Sequence, residues 1–193
     1  KGWTITHILN THHHGDHTGG NLEIKAATGC TIVGPKADRA RIPGIDVEVD
    51  DGDSYRLGEA DSKVFFVPGH TRGHIAYWFC DSDALFCGDT MFAMGCGRLF
   101  EGTPAQMWHS LSKLKDLPGE TRIFCAHEYT QANGRFALSV EPDNTDLVAR
   151  MAEVDAKRAR DEPTVPSTLA EERATNPFLR PDSPLLQKTV GMV

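Results

Sequence analysis

The sequence predicts an α+β protein with a sheet-on-sheet core and a helical segment appended at its C-terminal end. Three observations carry that expectation: short β-rich runs separated by Gly, Pro and Asp turns, ligand-type residues where apolar runs stop, and helix-favouring patterns concentrated after His127. The 193 residues are 39% hydrophobic and 24% charged, enough apolar material for one substantial core and a small appendage.

Residues 4–9 alternate and are β-rich, which predicts a strand that delivers a histidine cluster onto the following loop. Gly19, Gly20 and Asn21 open a short helix to residue 27, and strands are expected over 30–33, 47–49, 63–67, 75–80, 84–87 and 122–125. Thr103 can cap a helix whose first turn holds Pro104 and whose stripe is Met107, Leu111 and Leu114, giving a helix to residue 117. Residues 129–140 and 143–161 read as helices, the second with Leu147, Met151 and Val154 on one face. Ser167 and Thr168 look like another helix start, with Glu171 or Glu172 placed to help cap it. A boundary near Glu141 and Pro142 divides a metal-binding domain, 1–141, from a helical segment, 142–193, too small to fold alone.

The net charge is −7 and the 20 Lys and Arg are scattered, which disfavours nucleic acid or an anionic membrane as partner but permits a small anion in a local basic pocket. No run approaches the roughly 18 apolar residues of a membrane span, and no signal-like segment opens the chain. The five cysteines are odd in number and lack a C-x-x-C pair, so reduced thiols in a cytoplasmic monomer are expected.

Within Thr11-His12-His13-His14-Gly15-Asp16-His17, the side chains of His12, His14 and Asp16 alternate, so in extended backbone they share one side, with His17 adjacent. A lone histidine is usually a satisfied surface or core residue. Four ligand types packed this closely reverse that expectation, because neighbouring imidazoles repel as they protonate and bind zinc well when neutral. His70, Asp89 and His127 each follow a small residue at the end of an expected strand, so one sheet edge would gather them beside the cluster. The set exceeds what one tetrahedral zinc takes and suits two metals sharing a carboxylate.

The histidine cluster, Pro68-Gly69-His70-Thr71-Arg72-Gly73-His74, Cys87-Gly88-Asp89-Thr90 and Ala126-His127-Glu128-Tyr129-Thr130 resemble the metallo-β-lactamase superfamily, and more narrowly the glyoxalase II (hydroxyacylglutathione hydrolase) family. More specific are Met91-Phe92 leading to Gly95-Cys96-Gly97-Arg98 and Glu101-Gly102-Thr103, while Asn176-Pro177-Phe178-Leu179-Arg180 is similar to that family's helical C-terminal segment. The resemblance implies an αββα sandwich in which His12, His14 and His70 bind one divalent metal, Asp16, His17 and His127 bind another, and Asp89 bridges them. Zinc is expected, with iron or manganese as alternatives. Asp16 and Asp89 are then the carboxylates of the catalytic centre, His74 a hydrogen-bond partner of the ligands, and His7, His13 and His109 stand outside it.

The implied reaction is hydrolysis of S-D-lactoylglutathione to D-lactate and glutathione by a hydroxide bridging two metals, a step of methylglyoxal detoxification. Arg98, Phe100 and Tyr129 would contact the glutathione part, with Phe100 standing where the family frequently has a tyrosine. The family has strands before the cluster and a C-terminal basic pair that Lys188 does not replace. The sandwich is therefore expected to lack N-terminal strands and to bind glutathione less well, as a fragment or processed form. The rivals are a mononuclear iron persulfide dioxygenase, which normally lacks the helical appendage, and an inactive metal-binding fragment; a β-lactamase is disfavoured because nothing marks a β-lactam pocket.

Overall fold

The computed structural model describes residues 2–192. Strand β1 (His7–Leu9) leads through α1 (Gly15–Thr18) and α2 (Asn21–Thr28) to β2 (Thr31–Pro35), a 3-10 turn over Lys36–Arg41, and β3 (Val47–Val49). These strands form a three-stranded parallel sheet in the order β1-β2-β3. Parallel pairing demands a crossover, which the two helices supply between β1 and β2. Gly29 ends α2 in the left-handed region, φ +70°, with its N–H on Lys25 O.

A second, six-stranded sheet is built from β4 (Ser54–Leu57), β5 (Ala60–Phe66), β6 (Ile75–Phe79), β7 (Ala84–Gly88), β10 (Arg122–Cys125) and β11 (Ser167–Thr168). Its order is β11-β10-β7-β6-β5-β4, antiparallel except for the parallel β7–β10 pair. Between β7 and β10 run a small hairpin, β8 (Met91–Phe92) and β9 (Gly95–Cys96), and the helix α3 (Pro104–Lys115). The rest is helical: α4 (Thr130–Val140), α5 (Thr145–Arg158), α6 (Leu169–Thr175), a 3-10 turn over Pro177–Leu179, and α7 (Pro184–Thr189).

Strand alternation puts the six-stranded sheet between two apolar layers. Ile75, Tyr77 and Phe79 of β6 join Val33 and Val49 of the parallel sheet, whereas Ala76, Leu85, Cys87 and Ile123 face Met107, Leu111 and Leu114 of α3 with Leu169 and Leu179. A separate cluster of Met94, Ala137, Leu147, Met151 and Val154 fastens α4 and α5 beside the β8–β9 hairpin. The sandwich with C-terminal helices expected from the sequence is thus the fold. No helix among the described residues is long and apolar enough to cross a membrane.

Several boundaries differ for reasons of partnership. The strand expected over 4–9 is confined to His7–Leu9 because β2 pairs only there, starting at His7 with Thr31. The strand expected from 63 begins at Ala60 because β4, unrecognised in the sequence, pairs with it from Ser54↔Lys63 to Leu57↔Ala60. Ser167 and Thr168 bridge to β10 before the helix starts at Leu169, and Thr168 and Glu171 form its capping box. Glu172 is instead buried, accepting from Met94 N–H at 2.8 Å and from Arg150 at 2.6 Å. Leu85 is fully buried between β7 and α3. Leu85→Ala should cost about 2–5 kcal/mol in denaturant unfolding, and an unchanged midpoint would contradict this core.

Candidate metal centre

The site forms where strand ends from both sheets converge. Asn10 N–H donates to Val33 O at 2.8 Å, and Ile75 N–H donates to Thr11 O at 2.9 Å, so the loop after β1 is pinned to both layers just before His12. His14 then serves as N-cap of α1. The extended run expected to align His12, His14 and Asp16 therefore stops at His14, and Asp16 and His17 project from a helical turn. His70 follows β5, while Asp89 and His127 follow the adjacent parallel strands β7 and β10. The turn into Asp89 requires Gly88, at φ +51°, where a Cβ would collide with Thr11 and His74.

His14 Nδ1 lies 3.1 Å from His12 Nε2 and 3.0 Å from His70 Nε2. His17 Nε2 is 3.1 Å from Asp89 Oδ1 and 3.5 Å from Asp16 Oδ2. His127 Nε2 is 3.2 Å from Asp16 Oδ2, and Asp89 Oδ2 is 3.5 Å from both His70 Nε2 and His127 Nε2. Asp89 accordingly stands between the two groups. Three sets, His12–His14–His70, His12–His17–Asp89 and Asp16–His17–His127, each present donor atoms within 4.8 Å of one another.

Neighbouring groups aim these donors. His70 Nδ1–H donates to Arg98 O at 2.8 Å, leaving the lone pair on Nε2. Fully buried His74 stacks on His12 at 4.5 Å and accepts the Asp89 N–H at 3.1 Å. His13 turns away toward Asp38, His7 contacts Thr6 and Tyr55, and His109 is exposed on α3.

Burial, reinforced by mutual repulsion, holds the imidazoles of His12 and His14 below their ordinary range. Burial likewise lowers His70 despite Asp89, and brings His74 to about 3. Burial also opposes protonation of His17, but the Asp89 carboxylate beside it prevails and leaves its pKa raised. For Asp89, burial would raise the pKa, yet His17, His70 and His127 hold it below the usual carboxylate range. The lone pairs of His12, His14 and His70 and the ionised Asp89 are donor states a divalent cation needs, whereas His17 is biased toward its protonated form and must give up that proton to ligate.

Two further features fit such a cation. His17 Nε2 and Asp89 Oδ1 are buried facing each other at 3.1 Å without an aligned hydrogen bond, a costly arrangement that a cation ligated by both relieves. The three nitrogens of His12, His14 and His70 also crowd together, where one N–H cannot satisfy all the facing lone pairs.

His14, Asp16, His70, Asp89 and His127 floor a cavity of about 730 Å³ whose other walls include Arg98, Phe100 and Tyr129. Phe100 meets His14 and His70 edge-on at 5.6 and 5.2 Å, and Tyr129 stacks on His127 at 4.9 Å. Phe92, Cys96, Ala132 and Asn133 also line it and had no role in the sequence reading. Phe92 and Cys96 lay inside a recognised run, but nothing in the pattern showed that the hairpin folds them over the metal donors.

A family model described as the metallo-beta-lactamase superfamily matches residues 1–127, and one described as the hydroxyacylglutathione hydrolase C-terminus matches residues 128–193. The hydroxyacylglutathione hydrolase of Methylococcus capsulatus is 62% identical over 192 residues, spanning 100% of this chain and 75% of that protein. The chain belongs to the hydroxyacylglutathione hydrolase family of the metallo-beta-lactamase superfamily. Among solved structures, ETHE1 from Myxococcus xanthus superposes with a TM-score of 0.67 at 27% identity, covering 91% of this chain and 63% of that one. TTHA1623 in a di-iron-bound form gives 0.52 at 29% identity, covering 62% and 68%.

Membership of the superfamily implies divalent metal ions, and the His and Asp clusters are where this chain would hold them. Binding to the folded state alone stabilises by about 2.7 kcal/mol at a hundredfold excess over Kd. The chelated protein should therefore melt below the metal-loaded one in a thermal scan; identical midpoints would contradict the assignment of the clusters.

Proposed function

We propose that this chain hydrolyses hydroxyacylglutathione thioesters, S-D-lactoylglutathione foremost, with two divalent ions as cofactors, zinc the first choice. The observation that carries this reading is Asp89, set between two groups of imidazoles on the floor of a cavity whose wall also presents Arg98 and Tyr129. The 62% identity to a hydroxyacylglutathione hydrolase supports the substrate class, and the di-iron form of a 29% identical protein supports a paired site with iron as the alternative.

One ion would be held by His12, His14 and His70, the other by Asp16, His17 and His127, with Asp89 shared. When bound, such a pair supplies Lewis acidity and lowers the pKa of water from about 15.7 toward roughly 7. The residues do the rest by orientation. Asp89 is kept in place through its backbone N–H on His74. Arg98 pairs with a carboxylate of the glutathione part, and Phe100 and Tyr129, which line the same cavity, contact that part of the substrate too. Phe100 does this by contact alone, having no hydroxyl to donate.

Water adds to the thioester carbon, the C–S bond breaks, and a hydroxy acid and glutathione leave. A thiol with a pKa of about 8.5 departs as thiolate near neutrality, so no side chain is assigned as proton donor. The five free cysteines support a reducing, cytoplasmic setting, where we place the chain as a monomer consuming a thioester made from methylglyoxal. We also place the unit boundary at residues 141–142, with 142–193 as the helical segment. Buried Glu141 joins the two, taking Arg180 at 3.0 Å and Ser183 at 2.6 Å.

Release of thiol from S-D-lactoylglutathione, with metal content measured on the same sample, tests the reading. Asp89→Ala and His17→Ala should each lower kcat/KM by roughly a hundredfold or more; full activity in both would refute the paired site. Arg98→Ala should raise KM about two- to fivefold for lactoylglutathione but not for a thioester lacking carboxylates, and equal KM changes on both would remove Arg98 from the binding role.

A further inference from the structure

Behind one group of metal donors lies a charged network that the reaction does not touch. Asp38, in the 3-10 turn after β2, has a fully buried side chain. Its Oδ2 is 3.0 Å from His13 Nδ1, and its Oδ1 accepts from Arg41 Nη2 at 2.5 Å. Arg41 Nη1 also donates to Glu101 Oε1 at 2.5 Å and lies 3.1 Å from His13 Nε2. Because a guanidinium can only donate, His13 accepts at Nε2 and donates from Nδ1 to Asp38, which fixes its tautomer and ring plane. Glu101 Oε2 completes the chain by accepting Arg72 N–H at 2.8 Å.

The anchoring points are informative. His13 sits between the donors His12 and His14, and Arg72 follows the donor His70 by two positions. Gly73 packs so closely on the Asp38 carboxylate that a Cβ there would collide with it. Glu101 extends the segment whose Arg98 carbonyl holds His70 Nδ1. All three loops that present or orient His12, His14 and His70 therefore close on one ionic cluster. None of the contacts of Asp38, Arg41 or Glu101 given above reaches Asp16, His17 or His127.

We propose that Asp38, Arg41 and Glu101 are positioning residues that set the cation affinity of the His12–His14–His70 position and leave the Asp16–His17–His127 position largely untouched. This rests on the paired-site reading above. The buried Asp38 carboxylate is tied to a guanidinium that also grips both oxygens of Glu101, so removing either acid's charge loosens the whole cluster, and groups that orient metal ligands are typically worth about 10–100-fold in metal affinity.

The test is calorimetric titration of the chelated full chain with Zn²⁺, for the wild type, Asp38→Asn and Glu101→Gln. Glu101 is partly exposed, so Glu101→Gln carries the test alone if Asp38→Asn does not fold. Two binding steps are expected in the wild type. In the variants one step should weaken by about 10–100-fold while the other stays within a factor of about two. Adding His127→Ala to Glu101→Gln should then weaken the step that Glu101→Gln spared. Two wild-type steps that remain unchanged in Glu101→Gln, or that weaken equally, overturn the positioning role alone. A single wild-type step, or none, overturns the paired-site reading beneath it.

Discussion

Crowding imidazoles and carboxylates at one junction is the constraint around which this structure is arranged. His14 Nδ1 has the ring nitrogens of His12 and His70 within 3.1 Å, and Asp89 lies within 3.5 Å of His17, His70 and His127. Without a cation the junction combines facing lone pairs with buried, unpartnered polar atoms, which folding free energy must offset. The fold tolerates it because the donors are carried on loops and a helical turn that follow strands fixed by packing elsewhere. The parallel β7–β10 pair delivers Asp89 and His127 side by side, and the loop after β1 is held to both sheets.

The two donor groups are supported differently. His12, His14 and His70 are backed by stacked His74, the Arg98 carbonyl and the Asp38–Arg41–Glu101 cluster. Asp16 and His17 ride on a single helical turn, and His127 leans on Tyr129 in the cavity wall. The cavity nevertheless reaches both groups, His14 and His70 beside Phe100 and His127 beside Tyr129. The aromatic pair Phe100 and Tyr129 thus touches both donors and cavity.

Much of this was legible in the sequence because ligand chemistry and strand periodicity are local signals. The apolar runs ending in His70, Asp89 and His127 gave both the strands and their meeting point, and Thr103 with Pro104 marked α3. What escaped is set by partners distant in sequence. The run Ser54–Leu57 becomes a strand only because β5 pairs with it, and a helical turn replaces the extended path at Gly15, where the N–H groups of His17 and Thr18 close on His14 O. Asp38 carried no signal at all: an acidic residue in a short polar stretch looks solvated until the fold buries it against His13 and Gly73. Glu172 was readable as a capping residue, but its carboxylate serves Met94 and Arg150 instead.

The account stands or falls on two cations meeting at Asp89. Anomalous diffraction from crystals of the zinc-loaded protein measures this directly: two peaks flanking the Asp89 carboxylate, one against His12, His14 and His70 and one against Asp16, His17 and His127, are expected. A single peak, or peaks that leave Asp89 unligated, would contradict it.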